Sequence, residues 1–204
     1  MPKKILMIVG DFAEDYETMV PFQTLLAVGH TVHAVCPGKK AGQTIATAIH
    51  DFEGDQTYTE KRGHNFALNA TFADIKAADY DALVIPGGMS WEKGTAADIN
   101  GLVHRFGNRS RVIGGICAAA SALAGTGILN EVAHTGNSLG SHRAYPGYRG
   151  DRLYRDQPQA VSDGGIVTAP GSAPVSFAAE ILKALGLFGP EAEAELRVFA
   201  AEHR

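Results

Sequence analysis

Four stretches of the chain are apolar almost without interruption: KKILMIVG (3–10), TVHAVCP (31–37), DALVIPGG (81–88) and RVIGGI (111–116). Glycine, proline or charge closes each of them. A strand that buries one face alternates apolar with polar residues, whereas a strand buried on both faces is continuously apolar, so these runs predict a parallel sheet covered on both sides. Apolar positions recur at helical spacing in EDYETMVPFQTLLAVG after the first run, TAADINGLVHRFGNR before the fourth and AAASALAGTGIL after it. Strand alternating with helix is the mark of βαβ units, and the expectation is a doubly wound α/β fold with helices on both faces. Ligands of such folds bind beyond the carboxyl ends of the strands, so the residues that follow each strand are the ones to search for chemistry.

The alternation is broken by residues 41–72, which are polar, rich in threonine and aromatics, and carry turn signals at Glu53-Gly54-Asp55 and Arg62-Gly63-His64. They predict a β-hairpin leaving the sheet edge. A second hairpin is signalled by QAVSDGGIVTA, where Asp163-Gly164-Gly165 separates two β-prone runs. SAPVSFAAEILKALG then reads as a core-facing helix that starts at Ser172 or Pro174 and stops at Gly186. Residues 1–188 make one α/β domain in this reading, and 189–204 a C-terminal surface helix or tail.

At GGICAAASALAG, Cys117 falls where the strand RVIGGI meets the helix that follows it. A nucleophile on a tight strand-to-helix turn holds a strained backbone, and the residues two before and two after it must be small; Gly115 and Ala119 satisfy that requirement. The same place is a helix N-terminus, where the dipole and unpaired N–H groups favour thiolate over thiol. The Ala118 N–H, with those of Gly87 and Gly88 in the PGG that ends the third run, is a candidate oxyanion hole. A free cysteine in an apolar run is otherwise a core residue, which is the reading for Cys36 inside the second run.

A nucleophile needs a proton partner, and GDFAEDYETMVP supplies Asp11, Glu14, Asp15 and Glu17 after the first strand. The first three read as residues that complement a helix start. Glu17 sits in a mostly apolar turn, where an inward carboxyl is desolvated and its protonated form favoured, so it is the candidate acid/base beside the thiol. His134, in EVAHTGNS, is a candidate third member, set against the alternative of a histidine satisfied at a strand end. His142 and Arg143 are weaker candidates, in a loop that could line the pocket or a dimer contact. Trp91 after PGG walls the pocket, anchors a partner or simply packs.

Composition narrows the classes further. With 204 residues, 45% of them hydrophobic and 20% charged, the chain can bury one sizeable core. A net charge of −4 offers no basic footprint for nucleic acid or an anionic membrane. No apolar run nears the roughly 18 residues of a membrane span, and two cysteines in apolar surroundings point to a reducing cytosol rather than a disulfide framework. His50, Asp51, Glu53, Asp55 and His64 match no zinc or calcium spacing and read as a solvated loop. Without a phosphate-binding glycine motif, neither a nucleotide nor any other cofactor or metal is expected.

AEDYETMVP, ALVIPGG, GGICAAASALAGTGIL and GGIVTAPGSAPVSFAAEILKAL together resemble the PfpI superfamily, which includes PfpI-type proteases, DJ-1-type proteins and class I glutamine amidotransferase-like proteins. The resemblance covers about residues 3–187 and implies a flavodoxin-like three-layer sandwich, assembled as a homodimer. It implies that Cys117 is the reactive cysteine, that Glu17 is the glutamate bonded to it, and that Gly87 and Gly88 form the oxyanion segment. Residues 1–88 are similar to plant-type glutathione-independent glyoxalases, and SWEKG, HTGN and TAPGSAPVSF to putative bacterial amidotransferases. PfpI-type proteases and plant-type glyoxalases carry histidine directly after the cysteine, whereas this chain has Ala118, which counts against a peptidase.

Three readings follow. The first is a stress-protective enzyme that converts a small aldehyde or dicarbonyl such as methylglyoxal to lactate, or a related deglycase. The second is amide or nitrile hydrolysis by the same cysteine, as in an amidotransferase-like or PfpI-type hydrolase, which a strong requirement for His134 would favour. The third is no enzyme: a cysteine redox sensor or chaperone, which asks for an exposed thiol of low pKa.

Overall fold

The four apolar runs become four neighbouring parallel strands: β1 (Lys4–Ile8), β3 (Thr31–Val35), β6 (Ala82–Ile85) and β7 (Val112–Ile116). A computed structural model describes residues 1–53, 57–92, 94, 96, 98–108 and 111–200, and the side chains of these apart from 50–53, 57–61, 92, 199 and 200. The remaining elements are β2 (Ala13–Glu14), α1 (Asp15–Ala27), β4 (Thr44–Glu53), β5 (Thr57–Ala67), α2 (Met89–Glu92), α3 (Asn100–Gly107), α4 (Ala118–Gly125), α5 (Leu139–Arg143), β8 (Val161–Asp163), β9 (Ile166–Ala169), α6 (Pro174–Ala184) and α7 (Pro190–Ala200). The main sheet has the order β3-β1-β6-β7-β9-β8, parallel except for the antiparallel β8–β9 hairpin at one edge.

Side chains alternate across a strand, and the alternation here feeds two cores. From β1, Ile5 and Met7 join one cluster while Leu6 and Ile8 join the other; from β6, Ala82 and Val84 part from Leu83 and Ile85 in the same way. The first face is covered by Leu25 of α1, by Phe177, Ile181 and Leu182 of α6, and by Ala192 and Leu196 of α7. The second is covered by Val103 and Phe106 of α3 and by Ala119 and Leu123 of α4. The result is a three-layer, flavodoxin-like α/β sandwich. Among the described residues no helix is long and apolar enough to cross a membrane.

After β7 the helix is shorter than the periodicity predicts. α3 spans Asn100–Gly107, and α4 ends at Gly125, before Gly127 turns with φ +79°. The β8–β9 hairpin forms with Gly164 and Gly165 both at positive φ, and α6 stops before Gly186 at φ +71°. The hairpin of residues 41–72 does not extend the main sheet. β4 and β5 pair antiparallel and join β2 in a sheet of their own. Of the turn expected at 53–55, residues 54 and 55 fall outside the described residues. Arg62-Gly63-His64 is no turn but part of β5, where the register shifts opposite Thr47. A Cβ at Gly63 would lie 2.6 Å from Thr47 Oγ1, so glycine marks close contact there rather than reversal.

On the first face Gly114 has no side chain, and the Phe177 ring fills that space; a Cβ there would stand 3.0 Å from Cζ. Phe177 is fully buried. Phe177→Ala is expected to cost about 3–5 kcal/mol, read as a lower midpoint in urea with an unchanged slope; a loss below about 1 kcal/mol would mean the face can collapse around the cavity.

Candidate functional site

Cys117 lies between β7 and α4 with φ +59° and ψ −130°, one of two non-glycine residues at positive φ among those described. Such a backbone costs on the order of 1–3 kcal/mol and persists only where its surroundings impose it. Its N–H donates to Ala169 of β9 at 2.9 Å, and its carbonyl accepts from Ala120 at 3.0 Å. The small-residue requirement is visible one turn away: a Cβ on Gly115 would meet Leu123 Cδ1 at 2.5 Å and the Ala119 carbonyl at 3.2 Å.

The carboxyl of Glu17 reaches this elbow from the first turn of α1. It is fully buried, and its Oε2 accepts the Gly87 N–H at 2.9 Å. Gly87 and Gly171 enclose the pair. A Cβ on Gly171 would sit 2.8 Å from Glu17 Oε1 and 3.0 Å from Cys117 Sγ, and one on Gly87 would overlap both residues. Any side chain at either position would push the acid and the thiol apart. Of the three expected oxyanion donors, Gly87 therefore already spends its N–H on Glu17. Gly88 follows at φ +145°, bridged to Ala13, and the Ala118 N–H is directed at the sulfur itself.

The electrostatics differ from the expected low-pKa thiol. Cys117 is 9% exposed, and burial pushes its pKa well above the ordinary thiol value; the Glu17 charge pushes the same way. Donation from Asn137 and from the Ala118 N–H opposes this without cancelling it. A helix N-terminus offers well under a unit charge, and desolvation outweighs it. The resting thiol keeps its proton and is hydrogen-bonded to Glu17.

Asn137 carries no weight in the sequence reading, yet its Nδ2 donates to Cys117 Sγ at 3.2 Å while its Oδ1 accepts the Gly171 N–H at 2.9 Å. HTGNS and PGS are each ordinary loop strings, and only the pairing of Asn137 with Gly171 would reveal the contact.

Over residues 3–184 the chain matches the model of the DJ-1/PfpI family. The chain belongs to that family. A DJ-1 superfamily protein from Agrobacterium tumefaciens is 52% identical, with 99% of this chain and 100% of that one covered at a TM-score of 0.85. Protein DJ-1 homolog D of Arabidopsis thaliana is 50% identical over 129 residues, 63% of this chain and 33% of that protein. DJ-1 protein homolog E of the same plant is 37% identical over 192 residues, 90% of this chain and 46% of that protein. The chain thus spans less than half the length of these two plant relatives. More distant family members are a deglycase of Pyrococcus horikoshii, 25% identical over 151 residues, and a putative cysteine protease of Bacillus subtilis, 29% identical over 137.

Within this DJ-1/PfpI chain, His134 does not bond the sulfur. It is fully buried, its Nδ1 bonded to the Val132 carbonyl and its Nε2 to Tyr148 Oη, both at 2.8 Å. It stacks on His142 with centroids 5.6 Å apart, and Tyr148 and Tyr154 stand edge-on to both rings. His142 bonds Ser121 Oγ of α4 and the Thr135 carbonyl. These contacts anchor both histidines within the segment that carries Asn137. Arg143 points outward to Asp151 at 2.9 Å.

The other acids have structural tasks. Asp11 pairs with Lys39, and Asp15 accepts from Thr47 Oγ1 and bonds His64, which fastens the β4–β5 sheet to α1. Glu14 is buried where β2 meets β4. Trp91 donates to the Pro86 carbonyl and lines a cavity of about 310 Å³ with Ile99, Gly125 and Tyr145. Cys36 is a buried core residue whose pKa burial raises. Among the described residues no three His, Cys, Asp or Glu side chains gather as a metal would need; the side chains of His50, Asp51, Glu53 and Asp55 lie outside that description.

Two outcomes are expected. Glu17→Gln removes a charge that disfavours the thiolate, so Cys117 should react severalfold faster with iodoacetamide at pH 8; an unchanged or slower rate would mean that no carboxylate faces the thiol. Burial lowers the His142 pKa from 6.5 to about 4. The unfolded chain therefore binds a proton that the fold refuses, and stability complete above pH 6.5 is lost as pH falls from 6.5 towards 4, by up to roughly 3 kcal/mol. Urea midpoints measured across that window should fall, and His142→Gln should flatten the fall.

Proposed function

We propose that the chain acts on small reactive dicarbonyls such as methylglyoxal, isomerising and hydrating them to the 2-hydroxy acid without glutathione. The observation that carries this reading is a buried carboxyl held against a thiol at a strand-to-helix elbow, with neutral groups as the sulfur's other partners. One acid/base group suits a reaction that takes a proton from the substrate and gives it back. Peptide hydrolysis also needs a donor for the leaving amine, and His134, the candidate for that task, is bonded elsewhere. A deglycase among the relatives points the same way.

In this mechanism the sulfur adds to the aldehyde carbon while its proton passes through Glu17 to the aldehyde oxygen, giving a hemithioacetal and leaving Glu17 ionised. Glu17 then takes the C1 proton and returns it to C2 as the hydroxyl proton moves from O1 to O2, which yields a lactoyl thioester. Water cleaves the thioester, releasing lactate and restoring the thiol. The Gly88 and Ala118 N–H groups would hold the oxyanion of the two addition steps.

A redox sensor is favoured by an exposed thiol of low pKa, whereas Cys117 is buried and both burial and the Glu17 charge push its pKa up, which weighs against that reading. Lactate formation from methylglyoxal without glutathione tests the reading. Native protein should turn over, while Cys117→Ala and Glu17→Ala should each lose at least about a hundredfold in kcat/KM. Native turnover no higher than that of Cys117→Ala would overturn it.

A further inference from the structure

With Ala118 directly after the cysteine, the sulfur has no basic neighbour in sequence, and its hydrogen-bonding groups must come from elsewhere. Among the described residues they are the Glu17 carboxyl, the Ala118 N–H and the Asn137 amide. The first accepts the thiol proton; the other two only donate. The orientation of Asn137 is fixed chemically, because an oxygen must face the Gly171 N–H and the –NH2 must then face the sulfur. Of these residues Asn137 is the solvent-exposed one, whereas Glu17 and Ala118 are buried.

We propose that Asn137 is a catalytic residue of this chain: its amide N–H stabilises negative charge on Cys117 as the proton leaves for Glu17. A neutral donor strengthens its bond when the sulfur ionises, so it favours the thiolate without adding a titrating group. Glu17 is left as the single group that exchanges protons at the reacting carbons. The preferred substrate is then a compact 1,2-dicarbonyl, whose proton returns to the molecule it came from, and not an amide whose leaving nitrogen must be protonated. The inference rests on the preceding reading for that substrate class, but not for the effect on the sulfur.

The pH dependence of Cys117 alkylation by iodoacetamide separates the two. Asn137→Asp preserves the shape and the oxygen facing Gly171 while replacing the donor with a charge. Its alkylation profile should move to higher pH, with a rate at pH 8 at least tenfold below native, and Asn137→Ala should move in the same direction by less. Circular dichroism and the urea midpoint identify the variants that fold. A purely structural role would lower turnover and leave the alkylation profile in place, so an unmoved profile in folded Asn137→Asp overturns the proposal. If the native chain makes no lactate, a moved profile still upholds the role of Asn137 on the sulfur while the dicarbonyl reading falls.

Discussion

A carboxyl and a thiol are buried against each other, and much of the surrounding structure follows from that contact. Taking an ionisable pair out of water is unfavourable unless each polar atom finds a partner, and two such groups compete for one proton. The chain meets the first demand largely with backbone: the Gly87 N–H for Glu17, and the Ala118 N–H with the Asn137 amide for Cys117. It meets the second with space, since Gly87 and Gly171 remove the side chains that would otherwise separate acid from sulfur.

Strain and packing hold the arrangement still. Cys117 keeps its unfavourable backbone because β7, β9 and α4 are each tied into a core, and the Ala169 carbonyl grips its N–H. The elbow also stands between the two cores: Cys117 and Ala118 belong to one cluster, Ala119 and Leu123 to the other. A change of volume in either layer therefore reaches the nucleophile through one peptide unit.

Much of this was legible in the chain. Strands buried on both faces leave continuous apolar runs, which is why β1, β3, β6 and β7 stand out, and a glycine–cysteine–alanine spacing is the written form of a steric requirement. Glu17 is conspicuous because a carboxyl in an apolar turn is costly to bury and persists there only with a partner to meet. What escaped reading depends on partners far along the chain. Gly63 looks like a turn residue until Thr47 is seen opposite it, and Asn137 is one more loop asparagine until Gly171 meets it. His134 could not be oriented from local pattern, since the tyrosines that claim it, Tyr148 and Tyr154, arrive much later in the chain. The thiolate expected at a helix start failed on a balance of magnitudes, in which burial beside a carboxylate outweighs a fractional charge.

The small sheet has a consequence of its own. Thr47 bonds both the Asp15 carboxylate and the bulged backbone at His64, and the Phe12 N–H reaches the Ala46 carbonyl. Asp15 and Glu17 share the first turn of α1, so the hairpin and the acid have a common footing. Thr47 is thus a shared anchor: a change of side chain there would disturb the pairing of β4 with β5 and, through Asp15, the same helical turn that aims the Glu17 carboxyl.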